Sequence, residues 1–448
     1  MIIRPSYGET PRVVAWKSLV HVCRRWRNII FGSPRRLNLQ LICTPKTPAK
    51  DTLNAWPALP LLVWGNMTSS NTDMDNVIAA LGQSNRVREA ILLNLTGRQL
   101  EEALAAMHVP FPELTDLRLS SNDETPPVIP DSFLDGSASR LRIFELDGIP
   151  FPGVANLLLS ANHLLCLRLF NIPHSGYISP AEMVDLLSVL SSLKKLSLEF
   201  RSPQSRPDRE TRRLHPLKRS ILPALGELYF KGVNEYLEEL VTHIDTPQLG
   251  HMHITLFNQI DFDYPRLAQF INCTPRLGAR DEAHVQFDDS TASVTLRYRT
   301  TKSCPDDLHM EISCREPDWQ VSSVAQLCNS SLHPLSTVED LYIEHEYSRL
   351  VWKNDAIENT LWLEILLPFT AVKNLYLPKE FAQGIATALK ELVGARITEV
   401  LPSLKIIFVE GLQVEQWGPL QENIGQFTAA RWRSDHPITI SLWDRGRK

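Results

Sequence analysis

One hydrophobic spacing returns along most of this chain and restricts what it can fold into. In Pro112-Glu113-Leu114-Thr115-Asp116-Leu117-Arg118-Leu119-Ser120-Ser121-Asn122, three leucines stand as L-x-x-L-x-L and Asn122 closes the unit. That pattern describes a short strand that buries its leucines and then turns. The frame recurs at Leu141/Phe144/Leu146, Leu164/Leu167/Leu169, Leu193/Leu196/Leu198, Leu225/Leu228/Phe230, Leu249/Met252/Ile254, Val338/Leu341/Ile343, Val372/Leu375/Leu377 and Leu404/Ile407/Val409. Weaker copies stand at Leu59/Leu62/Trp64 and Val87/Ala90/Leu92.

Where the series is unbroken, successive copies are about 23 to 34 residues apart, close to the period of leucine-rich repeats but less regular. The asparagine of a uniform repeat forms a hydrogen-bonded ladder; here it is kept at Asn122 and Asn171 and becomes Gly148, Arg201, Gly232, Phe257 or Gly411 in other copies. Pro112, Pro223, Pro247 and Pro402 enter several strands, where no ladder donor is needed. The pattern predicts an α/β leucine-rich-repeat-like right-handed solenoid, since strand–helix–strand crossovers in a parallel sheet almost always take that hand. Parallel strands would line its concave face, with helices outside. The competing reading is an ordinary α/β domain with leucine-rich strands.

With 448 residues the chain exceeds what one compact core supports, so an elongated repeat or several domains is expected. A hydrophobic share of 43% suffices for a core, and a net charge of −5 disfavours general nucleic-acid binding. Seven scattered cysteines without a C-x-x-C pair read as reduced, mostly buried thiols. No window approaches the roughly 18 apolar residues of a membrane span, and Met1 to Pro5 lack a signal-peptide core. A cytoplasmic or nuclear protein with a protein partner is the expectation.

Towards the amino terminus, Trp16, Leu19, Cys23, Trp26 and Ile30 fall at steps of three and four on one helical face, widened by Val22 and Ile29. Gly32-Ser33-Pro34 should stop that helix. At Val22-Cys23-Arg24-Arg25-Trp26-Arg27, followed by Ile29, Ser33-Pro34 and Leu37-Asn38-Leu39, the sequence resembles the second half of an F-box. With Cys43-Thr44-Pro45-Lys46-Thr47-Pro48 and the degenerate repeats, it is similar to a large group of fungal F-box-like proteins. The resemblance implies a helical box (residues 1–44) that docks on the Skp adaptor of a cullin ubiquitin ligase. Repeats (45–448, irregular around 283–336) would then select a protein substrate. Trp16, Leu19, Val22, Cys23, Trp26, Ile29, Ile30 and Pro34 would face the adaptor.

The first half of the box, a Leu-Pro-Glu/Asp start leading into an apolar helix, does not precede Val13, and Met1 to Arg12, with Pro5 and Pro11, cannot form it. Either the natural chain begins further upstream or the box is vestigial. In the second case the chain would be a non-catalytic interaction scaffold whose first helix caps the repeats.

Further along, Asn71–Leu81 and Gly97–His108 have helical spacing, and Ser179-Pro180-Ala181-Glu182 is a capped helix start with Met183, Leu186, Leu187 and Leu190 on its apolar face. The stretch from Arg201 to Arg219 carries seven basic residues against Asp208 and Glu210; it reads as a solvated loop, or as a contact for an acidic or phosphorylated partner. His284–Asp288 and Ala292–Arg299 predict a hairpin. Ile438–Trp443 predicts a last strand that closes the sheet and hides its edge.

No G-x-S-x-G, phosphate loop, G-x-G-x-x-G or H-E-x-x-H is present, so neither an enzyme nor a cofactor is predicted. His251-Met252-His253 puts two imidazoles on one face of a strand with no third ligand nearby in sequence, which favours a structural or surface role over metal binding. Outward strand positions, Thr115, Arg118, Arg142, Glu145, Arg168, Lys195 and Ser197, are the candidate substrate contacts.

Overall fold

The computed structural model describes residues 21–32, 38–43, 48–68, 73–151, 156–203, 219–257, 264–299, 307–329, 332–345, 358–392, 394–411 and 418–444. The chain forms two compact units, Met1–Leu164 and Leu165–Lys448. Both are α/β.

The first unit runs α1 (Arg24–Phe31), β1 (Leu39–Ile42), α2 (Ala49–Ala55), β2 (Leu61–Asn66), α3 (Met74–Leu81), β3 (Val87–Leu95), α4 (Gly97–Ala106), β4 (Asp116–Ser121), β5 (Ile143–Asp147) and α5 (Asn156–Ser160). Its five strands lie in chain order and pair in parallel. The stretch assigned by sequence to a helical segment up to residue 44 thus ends in a sheet strand. Register stacks Leu41, Val63, Ala90, Leu117 and Phe144 in one row, and all five are buried. A second row, Leu92, Leu119 and Leu146, is buried two residues further on. The L-x-L spacing produces both rows, because alternate side chains of a strand leave on the same face. Each such side chain contributes roughly 1.5–3 kcal/mol by leaving water.

The asparagine ladder begins earlier than the sequence frame suggests. Asn122 Nδ2 donates to Asn94 Oδ1 at 2.8 Å, and Asn94 Nδ2 donates to Asn66 Oδ1 at 2.9 Å, each step 28 residues long. Asn94 has φ 59, and Asn171 (φ 48), Gly148 (φ 70) and Gly411 (φ 64) share that conformation two residues past the last apolar residue of their own frames. The chain must turn there through a left-handed conformation that Gly and Asn tolerate best. At Gly148 a Cβ would stand 2.5 Å from the Ser121 carbonyl oxygen. Replacing Asn94 by Ala removes both ladder bonds and strains the backbone, so we expect a loss of about 1–3 kcal/mol. An unchanged thermal melt of the variant would refute this.

Helix α1 starts later than its periodicity implies, because Cys23 is extended (φ −161, ψ 169) and takes the N-cap position. It ends at Gly32, whose N–H donates to Asn28 O at 2.9 Å. Nothing in it is buried. Its carboxy-terminal Phe31 meets the Trp56 ring edge-on, at 6.1 Å, while Val22, Trp26 and Ile29 remain 64%, 47% and 62% exposed. Trp16, Leu19 and Pro34 lie outside the described residues, as does most of the arginine-rich stretch (204–218).

The second unit runs β6 (Cys166–Ile172), α6 (Pro180–Val189), β7 (Lys195–Phe200), β8 (Ser220–Ile221), β9 (Glu227–Gly232), α7 (Asn234–Thr242), β10 (Ile244–Asp245), β11 (His251–Phe257), α8 (Pro265–Cys273), β12 (Glu282–Phe287), β13 (Thr291–Arg297) and β14 (Leu308–Ser313). It continues through α9 (Pro317–Cys328), β15 (Asp340–His345), α10 (Asn359–Leu366), β16 (Asn374–Leu377), α11 (Lys379–Lys390), β17 (Ile406–Glu410), α12 (Gly418–Arg433) and β18 (Thr439–Trp443). Helix α6 starts as its sequence dictates: Ser179 Oγ accepts from the Glu182 N–H, the Glu182 carboxylate accepts from the Ser179 N–H, Pro180 stands at N1, and Met183, Leu186 and Leu187 are buried. Within this unit the strands again form apolar rows, one of them through Leu167, Leu196, Leu228, Met252 and Leu308. Helices cover that face, since Phe230 stacks on Tyr236 of α7 at 5.8 Å and Phe287 meets Trp362 of α10 at 6.0 Å.

The irregular region is a rearrangement of strand order. The predicted hairpin forms, with β12 antiparallel to β13 and β13 antiparallel to β14. Yet β11 is followed in the sheet by β14, then β13, then β12, and only then by β15. Both β11–β14 and β12–β15 are parallel, so β13 alone runs against the described strands around it. At the carboxy terminus β18 pairs with β17 and is the last strand of the order. Among the described strands it is an edge and not the cover of one, and it leaves Leu442 exposed. Small β8 and β10 pair separately.

Burial pushes the Cys43 and Cys328 thiols up to about 12, with the Asp73 charge adding to the shift at Cys43, so both are inert at neutral pH. Among the described residues no helix is long and apolar enough to cross a membrane.

Candidate functional site

Between the two apolar rows of each strand lies the middle residue of L-x-L, which points to the face away from the helices. In the second unit the register carries this position from Arg168 and Ser197 to Tyr229, His253, His309, Thr295, His284, Tyr342, Tyr376, Phe408 and Ser441. The rings stack across the strands. Tyr229 and His253 lie 5.9 Å apart, His253 and His309 4.2 Å, His284 and Tyr342 4.5 Å, Tyr342 and Tyr376 4.2 Å, and Tyr376 and Phe408 4.5 Å. All but the buried His284 are half-exposed. Thr295 interrupts the rings, and its hydroxyl lies 2.7 Å from His309 Nδ1.

Charged groups flank the row. Lys195 Nζ donates to Glu227 Oε2 at 2.7 Å and lies 4.3 Å from the Tyr229 ring centre. Glu344 accepts from Gln286 Nε2 at 2.8 Å and lies 3.2 Å from His284 Nδ1. His251 Nδ1 meets the Asp307 carboxylate. Burial would raise the Asp307 pKa, but that contact and the surrounding histidines hold it below the usual carboxylate range. Burial and the adjacent His309 lower His253 to about 4, so its imidazole is neutral at physiological pH. Burial and the neighbouring Tyr376 raise the Tyr342 hydroxyl.

Beside His253 and Glu311 is an open recess of about 340 Å³, lined also by Glu199, Tyr229, Lys231, Thr255 and Ser313. Among the described residues, one set of three metal-capable side chains converges: His253, His309 and Glu311, with donor atoms all within 4.8 Å of one another. The His251–His253 pair, which lacks a third ligand nearby in sequence, thus acquires neighbours from β14 across the sheet.

The predicted substrate contacts divide between the two units. Thr115, Arg118, Arg142 and Glu145 belong to the first; Arg168, Lys195 and Ser197 belong to the second. Arg118 donates in parallel to Asp116, from Nε at 3.1 Å and from Nη2 at 3.2 Å, and Thr115 Oγ1 donates to Arg88 O at 3.2 Å. Arg142 is exposed and Arg168 half-exposed. Glu145 and Ser197 are 2% and 1% exposed and offer almost no surface, Ser197 because it is a small side chain set between Arg168 and Tyr229. The ring row was missed by reading too few copies. Tyr229, His253, Tyr342, Tyr376 and Phe408 occupy the same position in L-x-L frames visible in the sequence. His309 and His284 could not be assigned to it without the strand order.

No family model matches the chain, and no curated protein is similar to it. Among solved structures it is similar to the leucine-rich repeat-containing protein LegL7 from Legionella pneumophila. That similarity spans 88% of this chain and 98% of the other, at 12% identity and a TM-score of 0.29.

Proposed function

We propose that this chain is a non-catalytic interaction scaffold, each unit a right-handed run of strand–helix repeats, and that it binds a protein partner through the middle row of its strands. The half-exposed ring row from Tyr229 to Phe408 carries this reading. Rigid aromatic side chains offer large contact area at little entropic cost and are enriched at the centres of protein interfaces. The net charge of −5 favours a protein over a nucleic acid.

In its finer form the proposal is an F-box-like substrate receptor of a cullin ubiquitin ligase, in the cytoplasm or nucleus. Helix α1 and the residues before it would meet a Skp-type adaptor. The exposure of Val22, Trp26 and Ile29 supports docking over the capping alternative, which needs that face buried. Calorimetric titration with purified adaptor tests it. Trp26→Ala should weaken adaptor binding by at least about 2 kcal/mol, some thirtyfold. Stability should change by no more than about 0.5 kcal/mol, as for surface sites. A wild-type chain that leaves the adaptor unbound would return the reading to the scaffold alone.

A further inference from the structure

We propose that His253, His309 and Glu311 form a divalent transition-metal site, suited to Zn²⁺, with an open coordination position towards the recess beside β11 and β14. The rearranged strand order seats β14 against β11, and the register then places His253 opposite His309 and Thr255 opposite Glu311. Glu311 lies two residues beyond His309, so alternation returns its carboxylate to the same face. His309 Nε2 is 3.6 Å from Glu311 Oε2.

A neighbouring hydroxyl prepares one imidazole as a ligand. Thr295 Oγ1, at 2.7 Å, can accept the Nδ1–H of His309, which leaves the Nε2 lone pair on the side of Glu311. Metal-bound histidines are commonly oriented by such a partner on the second ring nitrogen.

Two imidazoles and one carboxylate are a donor set that zinc accepts, with a fourth position left for water or a partner's side chain. Ligand bonds of roughly 2.0–2.2 Å place tetrahedral donors about 3.3–3.6 Å apart. The present separations, within 4.8 Å, therefore close by side-chain rotation without movement of the strands. Glu199 and Lys231 also line the recess and offset one another in charge.

The test is calorimetric titration of the full chain, stripped with chelator, with ZnCl₂ near pH 7.5. One equivalent should bind at micromolar or lower Kd. Glu311→Gln and His309→Gln, near-isosteric changes, should each weaken binding at least tenfold with the melting temperature of the zinc-free chain retained. Thr295→Val should weaken it about tenfold through the lost orientation of His309. A wild-type chain that binds no zinc overturns the proposal, and so do variants that bind it as tightly as wild type, since the ion would then sit elsewhere. Should a variant fail to fold, histidine-ring NMR of the wild-type chain decides. Zinc-induced shifts at two imidazoles support the site, and unshifted rings overturn it.

Discussion

Leu196→Ala should destabilise the Leu165–Lys448 unit by about 2–5 kcal/mol, the cost of emptying a closed leucine site. Leu196 is fully buried, and register sets it between Leu167 and Leu228, themselves fully buried. No neighbour on either side can expand across the strand spacing to fill the void. Hydrogen exchange should therefore quicken first in β6, β7 and β9 and least in β16 to β18, because each repeat leans chiefly on its neighbours. Uniform acceleration, or none, would contradict the stacked-row packing. Leu117→Ala should have a comparable effect in the first unit, where Leu117 holds the same position between Ala90 and Phe144.

Arg431→Leu should cost about 3 kcal/mol or more, although it replaces a buried charged residue by an apolar one. The guanidinium is wholly buried and donates from Nη1 to Ile397 O at 3.0 Å, and from Nη2 to Leu401 O at 3.1 Å and Pro402 O at 3.2 Å. It fastens α12 to the turn ahead of β17, where Leu401 has φ 50. Hydrogen bonds from charged donors are worth roughly 1.5–3 kcal/mol, and leucine leaves three carbonyls without the donor that serves them. Burial lowers the arginine pKa from its ordinary value. A chemical-denaturation midpoint unchanged in Arg431→Leu would show that the carbonyls find other donors.

What was legible in the sequence was local. The L-x-x-L-x-L frames located the repeat strands and the face they bury, and the Ser179-x-x-Glu182 box located a helix start, because spacing along one strand or helix directly sets which side each residue faces. Strand order was not legible. Periodicity is the same whether β14 lies beside β11 or beside β15, and that choice alone decides whether His309 meets His253. The ladder at Asn66 and Asn94 is less legible because these asparagines follow the two weaker frames, Leu59/Leu62/Trp64 and Val87/Ala90/Leu92. In the sequence Arg431 is one basic residue among several near a helix end. Its burial depends on carbonyls some thirty residues earlier, at a turn without a periodic signal.

The displaced strand order also bears on how the second unit assembles in time. In a regular repeat each new strand can add to the one made just before it, so order spreads along the chain like a closing zip. That process must stall at β11, whose next partner, β14, is separated from it in sequence by the whole of β12 and β13. A parallel pairing across such a gap is slow to find, whereas a hairpin closes in microseconds. We therefore expect β12, β13 and β14 to meet one another first, as an up-down-up triplet with short connections. This triplet would then fit as one block between the two flanks, β14 onto β11 and β12 onto β15. Growth would proceed from a seed in the middle as well as from an end, and the cluster around His253 and His309 would come together only at the last joining step.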